Sequence, residues 1–485
     1  MNATDVVIVG GGVAGLVIAH DLARAGRGVV LCEASDRLGG LLRRGVVAGL
    51  DVDLGAESFA TRTDAVAVLA AELGLGTVAP RPGGAWIAVQ TESGPRRAPL
   101  SRRTLLGIPA DPLAADVALI IGADAAAQAA HESALPGLGA PALAEPSLYD
   151  LVAARLGPLV AARLVDPLCR SVYSRPAAEL RLSQVNPALW RAFVERGSLL
   201  AAVATVLGER PVVRAGAAVG GIAGGMWRLP EALAASARAH GADLRTSTAV
   251  TAVDPTGILV HTTAGTLRAR RVVVATGPAA AASLPGCSAD RSGGDFTSGG
   301  SNPADSSSRV SISSRTALPS RQNGGRIRIA VAAIAHPGLD AFPVGSGVIV
   351  DPALQTAAKA LTHVNAKWEW AGAETGARGI HLVRLSARDA DAGTLATAAD
   401  IARETSLLTG VPIAPEQVRD LLVHEWADAV ARDEQSALPA EPAPPGIEHA
   451  GAAAAGTGLA CVVPHARTLA TRLIDELALE TRSIA

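Results

Sequence analysis

The first forty residues alternate between short apolar runs and glycine-rich turns. Asp5-Val-Val-Ile-Val9 is an apolar, β-branched run of the kind that forms a buried strand. Apolar residues then recur at helical spacing from Leu16 to Ala25, with Gly26 as the C-cap, and Val29 to Leu31 form a second strand. This order of strand, turn, helix and strand predicts the start of a parallel α/β sheet.

The turn between the first strand and the helix is made largely of glycine. Its sequence Gly10-Gly11-Gly12-Val13-Ala14-Gly15 contains G-x-G-x-x-G with one further glycine, in the strand–turn–helix context that gives this motif meaning. Glycines here allow a tight turn, close approach of a pyrophosphate, and close contact of helix and strand. Glu33 follows the second strand, where a carboxylate can accept hydrogen bonds from ribose hydroxyls. The sequence therefore predicts a dinucleotide site at Gly10, Gly11, Gly12, Gly15 and Glu33.

The remaining chain changes pattern several times. Helical spacing predominates over 81–210, and strand-like runs predominate over 326–440, including one predicted strand from Ala360 to Trp368. Between them, 288–325 is dominated by Ser, Gly, Asn, Asp and Arg and cannot bury enough apolar area to order itself. We therefore predict dinucleotide-binding parts at 1–80, 211–287 and 441–485, a helical subdomain at 81–210, a flexible insertion at 288–325 and a substrate-binding sheet domain at 326–440.

Composition excludes several classes of protein. The formal net charge is -2, which argues against a strongly basic nucleic-acid binder. Four cysteines lie far apart without C-x-x-C, which excludes a zinc ribbon and a disulfide scaffold, and no metal site is predicted. The N-terminus lacks a basic region before its apolar run, and no apolar window is long enough to span a bilayer. We expect a cytoplasmic protein and leave peripheral membrane contact open.

Two further motifs distinguish FAD from NAD. Glu33-Ala-Ser-Asp-Arg37-Leu-Gly39-Gly40 fits E-x-x-x-R-x-G-G, and Asp53-Leu-Gly55-Ala56-Glu57-Ser58-Phe59 fits D-x-G-x-x-S-F. In both motifs the chain resembles the FAD-dependent amine oxidase and protoporphyrinogen oxidase superfamily. The resemblance implies that Arg37 reaches the pyrophosphate and that Gly39 and Gly40 let the backbone pass close to FAD. It also implies that Gly55, Ala56, Glu57 and Ser58 pass under the flavin ring. It makes an NAD-dependent dehydrogenase the weaker alternative.

The second half of the chain carries further cofactor motifs of the same family. Ala249 to Val253 is strand-like, and the resemblance implies that the Val250 backbone contacts adenine. The closing element Gly456-Thr-Gly458-Leu459 resembles the family's glycine pair at the flavin's pyrimidine edge, and Trp426 is a further implied contact. The implied architecture is an α/β fold with a Rossmann-like FAD-binding domain, a mixed-sheet substrate domain and a helical subdomain.

Three side chains are candidates for substrate binding. The stretch 345–368 resembles the porphyrinogen oxidases, and the resemblance places the aromatic ring of Trp368 against a flat tetrapyrrole. Lys367 is then expected beside the flavin or on a propionate, and Arg62 is a second propionate candidate. The chain departs from the family at Arg170, where glycine is usual, and at Arg432-Asp433. These departures leave open a FAD-binding homologue with reduced activity.

The family resemblance implies a reaction in which FAD carries the redox chemistry, and we assign no catalytic side chain. No second G-x-G-x-x-G follows a strand, so electrons are expected to pass to oxygen or to another external acceptor, with oxygen preferred. The expected reaction is six-electron oxidation of coproporphyrinogen III to coproporphyrin III in haem biosynthesis, with release of hydrogen peroxide. This choice follows the Gram-positive branch of the family, which the Arg-biased chain resembles. Protoporphyrinogen IX, and an amine oxidase or desaturase activity, stay open as alternatives, as do a monomer and a homodimer.

Overall fold

A computed structural model gives the fold of the chain and describes residues 4–136, 145–173, 175–208, 218–254, 259–286, 326–376, 378–388, 394–426 and 444–484. The predicted insertion at 288–325 lies outside these residues, as does the departure at Arg432-Asp433.

Strands and helices alternate along much of the described chain. The strands are β1 (Thr4–Val9), β2 (Val29–Cys32), β3 (Arg44–Val47), β4 (Leu50–Asp53), β5 (Phe59–Ala60), β6 (Thr77–Val78), β7 (Trp86–Thr91), β8 (Gly94–Pro99), β9 (Thr104–Leu105), β10 (Ile108–Pro109), β11 (Val219–Ile222), β12 (Asp243–Arg245), β13 (Val250–Val253), β14 (Leu259–Thr262), β15 (Gly265–Val274), β16 (Ile327–Ile334), β17 (Gly347–Val350), β18 (Ala360–His363), β19 (His381–Arg388), β20 (Val418–Trp426) and β21 (Ile447–His449). The helices are α1 (Val13–Arg24), α2 (Ala65–Glu72), α3 (Ala115–Ile121), α4 (Ala123–Ala130), α5 (Leu148–Leu156), α6 (Pro158–Val160), α7 (Asp166–Val172), α8 (Leu182–Val185), α9 (Pro187–Arg196), α10 (Leu199–Leu207), α11 (Arg228–Ala239), α12 (Pro278–Ala282), α13 (Val364–Lys367), α14 (Glu369–Gly376), α15 (Ala398–Thr409), α16 (Ala452–Ala455) and α17 (Leu459–Ile484).

The first sheet is built around β1. Its strand order is β12-β2-β1-β15-β14-β13, with β21 also paired to β15. β1 is parallel to both β2 and β15, and β12 and β21 extend the parallel part on either side. The carboxyl ends of these strands therefore share one edge, and Gly10 begins the glycine turn at that edge. Open parallel sheets bind ligands at this edge.

The second sheet has the order β20-β16-β19-β18-β17-β7-β8 and is antiparallel except between β17 and β7. Alternate residues of β16 point to opposite faces, as the pleat requires. On one face, Ile329, Val331 and Ala333 pack with the β3–β4 hairpin and Trp368. On the other face, Ala330, Ala332 and Ile334 pack with Ile401 and Leu408 of α15. The sheet thus joins a buried core on each face.

The structure corrects the prediction that the helical segment begins at residue 81. Residues 86–99 form β7 and β8, and β7 pairs in parallel with β17 at the edge of the second sheet. The run Trp86-Ile-Ala-Val-Gln-Thr91 is too short to show a helical stripe, so pairing with a distant strand decides its conformation. Residues 115–207 then contribute α3 to α10, which share one core.

The prediction of a strand from Ala360 to Trp368 was wrong in its second half. β18 ends at His363, and α13 follows at once. The side chain of Asn365 takes over part of the pairing: its Oδ1 accepts from the Leu382 N–H at 2.7 Å, and its Nδ2 donates to the Ile380 carbonyl at 3.2 Å. A side-chain amide that satisfies these backbone groups lets the main chain leave the sheet.

The C-terminal helix returns the chain to the first sheet. α17 packs along α1, where Val463, Ala466 and Ala470 share a core with Leu16 and Val17. Among the described residues, no helix has both the length and the apolar character needed to cross a bilayer.

Candidate active site

The glycine turn after β1 has the shape of an anion site. Gly10 has φ +107°, and a Cβ on Gly15 would lie 2.1 Å from the Gly10 carbonyl oxygen, so both positions require glycine. A Cβ on Gly12 would meet no heavy atom within 4 Å. α1 begins at Val13, and no side chain caps its N-terminus. Free N–H groups therefore face open space where a pyrophosphate binds in such turns.

The carboxylate of Glu33 is fixed beside this turn. Its Oε2 accepts from the Gly11 N–H at 2.7 Å, and its Oε1 accepts from the Ser35 N–H at 2.9 Å. The Thr248 N–H donates to the Glu33 carbonyl at 2.8 Å. This bond brings the segment that leads into β13, and hence Val250, alongside Glu33. Contact of either residue with adenosine stays a prediction.

The R-x-G-G segment contacts the glycine turn directly. The Gly39 N–H donates to the Gly11 carbonyl at 2.8 Å. The Arg37 guanidinium donates to the Gly40 carbonyl at 2.8 Å and lies 5.6 Å from the ring centroid of Trp426. Arg37, beside the glycine turn, and Trp426, at the end of β20 in the second sheet, are therefore neighbours although they are distant in sequence.

The backbone after β4 is held on three sides. A Cβ on Gly55 would lie 1.6 Å from the Leu41 carbonyl oxygen, so this position requires glycine. Trp426 Nε1 donates to the Leu54 carbonyl at 2.7 Å, and Arg384 donates to the Gly55 carbonyl at 2.6 Å. These contacts fix the course of the segment that the family resemblance places under the flavin.

Asp53 connects this segment to the start of α11. Its two carboxylate oxygens accept from the N–H groups of Met226 and Trp227, each at 2.9 Å. Burial outweighs these hydrogen bonds and raises the pKa of Asp53 to about 7. Further along the segment Ala56 is exposed and Ser58 is half-buried.

Glu57, in the segment after β4, and Lys367, at the end of α13, form an ion pair. Lys367 Nζ lies 2.8 Å from Glu57 Oε1, and the exposed fractions of the side chains are 12% and 14%. Thr362 Oγ1 donates to the same oxygen at 3.0 Å. Burial alone would raise the pKa of Glu57, but the charges of Lys367 and Arg384 and the hydrogen bonds from Lys367 and Thr362 lower it overall. The predicted roles of Lys367 beside the flavin or on a propionate stay predictions.

Trp368 is a buried side chain with an exposed fraction of 2%. A Cβ on Gly221 would lie 2.8 Å from Trp368 Cη2, so the indole packs tightly on β11. Lys367 Nζ lies 5.1 Å from its ring centroid. In this arrangement the indole fills the core rather than offering an open face, and its contact with a tetrapyrrole stays a prediction.

Arg62 lies at the junction of the first sheet and the helical segment. It is exposed, its Nη2 donates to Cys461 Sγ in the first turn of α17, and its charge acts on the Tyr173 hydroxyl at the end of α7. Burial raises the pKa of Tyr173, and Arg62 partly opposes this. A free guanidinium edge at such a junction suits a carboxylate of a bound substrate.

The closing glycine pair precedes α17 in an open loop. Gly456 and Gly458 have φ +79° and +94°, and a Cβ on either would meet no heavy atom within 4 Å. Leu459 begins the helix. Upstream, a Cβ on Gly451 would lie 3.6 Å from the Ala14 Cβ, so this loop adjoins the first turn of α1. The fold thus brings two open glycine segments, the turn after β1 and the loop before α17, to one edge of the first sheet.

Sequence reasoning did not assign Asp53, Arg384, Tyr173 or Cys461 to the site. Asp53 is the first residue of the D-x-G-x-x-S-F motif, so the motif itself could have assigned it to the site. Arg384, Tyr173 and Cys461 meet their partners through long-range contacts, and nothing local in the sequence marks them.

His363, at the end of β18, is the buried end of a chain of polar groups that runs through His381 to the exposed Asp340. Its Nε2 lies 3.0 Å from His381 Nδ1, and His381 Nε2 lies 2.9 Å from Asp340 Oδ1. Phe342 packs edge-on against both rings. Burial, reinforced by His381, lowers the pKa of His363 to about 3.

Acid should destabilise the protein through His363. Between pH 6.5 and about 3 the unfolded chain binds a proton at this residue and the folded chain does not, so stability falls as the pH falls. We expect His363→Gln to flatten this dependence by up to about 1.4 kcal/mol per pH unit. Urea denaturation at several pH values measures the pH dependence of the free energy of unfolding. His261→Gln, at an exposed position, is the control. Equal slopes in the two variants would contradict the prediction.

The residues at the sheet edge fit FAD. The open glycine turn offers free N–H groups to a pyrophosphate, Glu33 offers a fixed carboxylate to a ribose, and the open pair Gly456 and Gly458 leaves room for a flat ring system.

Comparisons with known proteins give the family. Residues 13–292, more than half of the chain, match the model of the flavin-containing amine oxidoreductases. Coproporphyrinogen III oxidase of Mycobacterium tuberculosis is 31% identical over 98% of this chain and 99% of its own length. The enzyme of the same name from Mycobacterium leprae is 31% identical over 89% of this chain and 88% of its own length.

Solved structures show the same fold. A crystal structure provisionally assigned as a protoporphyrinogen oxidase from Exiguobacterium sp. 255-15 has a TM-score of 0.72 at 18% identity, covering 98% of this chain and 100% of the other. Cyclohexylamine oxidase from Brevibacterium oxydans has a TM-score of 0.63 at 16% identity, covering 98% and 100%. The predicted α/β fold with a Rossmann-like FAD-binding domain is confirmed. The chain is an FAD-dependent oxidoreductase and belongs to the flavin-containing amine oxidoreductase family.

Proposed function

We propose that the protein oxidises coproporphyrinogen III to coproporphyrin III, with three molecules of oxygen reduced to three of hydrogen peroxide. The observation that carries the proposal is the match to the mycobacterial coproporphyrinogen III oxidases over 98% of the chain, which includes the segments outside the FAD-binding motifs. When bound, FAD would supply the two-electron redox chemistry of the reaction. Protoporphyrinogen IX is the alternative substrate.

The protein's own contribution is binding and orientation. The N-terminus of α1 and the turn at Gly12 hold the pyrophosphate, and Glu33 holds the ribose. Arg384 and Asp53 fix the segment after β4, so that the backbone at Ala56 and Ser58 presents a constant surface to the flavin. Arg62 orients the substrate by binding one of its carboxylates. No side chain is required as nucleophile, in keeping with a reaction driven by aromatisation.

Turnover with defined substrates tests the proposal. The purified holoenzyme is given coproporphyrinogen III, protoporphyrinogen IX or a primary amine, and porphyrin fluorescence, oxygen uptake and peroxide are followed against an autoxidation blank. We expect coproporphyrin III with about three peroxides for each porphyrin, from the electron balance of the reaction. Faster formation of protoporphyrin IX would favour the alternative substrate. Bound flavin with no porphyrin from either substrate would refute the proposal.

Replacing Arg62 with Ala should weaken substrate binding. Loss of one charge-assisted hydrogen bond predicts a KM about 10-fold higher with a nearly constant kcat. Steady-state kinetics with coproporphyrinogen III measure KM and kcat separately. Arg62→Lys should restore part of the affinity. Arg191→Ala, at an exposed position on α9, is the control. A lower kcat with unchanged KM would show that Arg62 does not bind the substrate.

A further inference from the structure

A small cavity lies where the second sheet meets the segment after β4. It has room of about 20 Å³, enough for one water molecule. Its polar lining includes Asp53, Glu57, Trp370 and Arg384, and its apolar wall includes Val331. Among its lining residues there is none from the glycine turn or from the closing glycine pair. The cavity therefore lies apart from these two glycine segments.

Three buried polar atoms of the cavity lining have no protein partner. They are Glu57 Oε2, Arg384 Nε and Trp370 Nε1. Two other polar atoms of these side chains have partners: Glu57 Oε1 accepts from Lys367, and Arg384 Nη2 donates to the Gly55 carbonyl. One acceptor and two donors thus belong to side chains that line the same small cavity. Buried polar groups of this kind almost always have a partner.

The chemistry of these atoms selects the ligand. A metal cation cannot accept the N–H groups of Arg384 and Trp370, and an anion would be repelled by Glu57. A water molecule donates to one group and accepts from two, which is the required set. The charges of Glu57 and Arg384 act on each other without a direct hydrogen bond, as expected of a pair bridged by water.

We propose that this cavity binds one water molecule and that Arg384 and Trp370, acting through it, position Glu57 and with it Lys367. The carboxylate of Glu57 would then be held at both oxygens, by Lys367 and Thr362 on one side and by the water on the other. Lys367 Nζ, 5.1 Å from the ring centroid of Trp368, then gains a fixed place beside the segment after β4. Arg384 and Trp370 are positioning residues in this arrangement.

A crystal structure of the holoenzyme, at a resolution that shows ordered water, tests the ligand. We expect a peak of density within about 2.7–3.2 Å of all three atoms. A direct contact between Glu57 and Arg384 that closes the cavity would overturn the proposal. A dry cavity would overturn it equally.

Nuclear magnetic resonance of the lysines tests the positioning. The chain has two lysines, Lys359 and Lys367, so ¹⁵N-lysine labelling gives two ammonium signals, and Lys359→Arg assigns them. We expect one protected signal from Lys367 in the wild-type holoenzyme. Trp370→Phe keeps an aromatic side chain and removes the N–H, and it should at least double the exchange rate of that signal. Trp190→Phe, in the helical core, is the matched control.

A second variant tests the positioning role if Trp370→Phe does not fold. Arg384→Lys keeps the charge and removes the Nε donor, and it should accelerate exchange in the same way. If both variants fold and the exchange rate of the Lys367 signal is the same in them as in Trp190→Phe, the positioning role is overturned. These measurements require bound FAD but no porphyrinogen. Their outcome therefore does not depend on whether coproporphyrinogen III is the substrate.

Discussion

Replacing Glu57 with Gln is expected to lower the free energy of unfolding by about 3–5 kcal/mol. The change removes the charge that compensates Lys367, whose side chain is only 12% exposed. An ammonium left in a buried position without its carboxylate is far less stable than the intact pair. The same change leaves Thr362 Oγ1 with an amide in place of a carboxylate as its acceptor. Both effects act where the segment predicted to pass under the flavin meets the second sheet.

Urea denaturation of the holoenzyme at saturating FAD measures the loss, in a cycle with Lys367→Met and the double variant. The double variant should lose less than the sum of the single variants, because it leaves neither charge unpaired. The matched control is Glu72→Gln, which breaks the more exposed pair with Arg467 and should cost no more than about 1 kcal/mol. Additive losses in the cycle would mean that Glu57 and Lys367 do not stabilise each other.

The sequence predicted the cofactor edge because that edge is built from local patterns. The strand, glycine turn and helix at residues 4–24 are consecutive, and each glycine answers a steric demand made within a few residues, as at Gly15. The R-x-G-G segment follows directly. Such features depend on backbone geometry that the local sequence encodes, so the FAD-binding motifs could be assigned before the fold was known.

The second sheet was harder to predict because its pairing is not local. β7 pairs with β17, more than 250 residues away, and its own sequence does not contain that partner. The end of β18 depends on Asn365, whose amide pairs with a strand that begins sixteen residues later. Likewise Lys367 shows as a rare lysine in sequence, but its partner Glu57 is visible only in the fold. Long-range pairing of this kind overrides local propensity.

Replacing Gly12 with Ala is expected to weaken FAD binding by about 10- to 100-fold while leaving the apoprotein folded. Gly12 has φ -71° and ψ 179°, which alanine adopts without strain, and its Cβ would meet no protein atom within 4 Å. The free energy of unfolding of the apoprotein should therefore change by less than about 1 kcal/mol, the usual range at a helix N-cap. The methyl group would instead occupy the space predicted for the pyrophosphate, which would lose one or two charge-assisted hydrogen bonds.

Titration of the apoprotein with FAD, followed by flavin fluorescence, measures the affinity, and denaturation measures the stability. Gly76→Ala is the matched control, because its Cβ also meets no heavy atom within 4 Å but lies outside the glycine turn, between α2 and β6. Gly15→Ala gives the opposite pattern: its Cβ would lie 2.1 Å from the Gly10 carbonyl oxygen, so folding and FAD binding should fail together. If Gly12→Ala bound FAD as tightly as Gly76→Ala, the pyrophosphate would have to lie elsewhere, and the open turn at the start of α1 would not be the cofactor site.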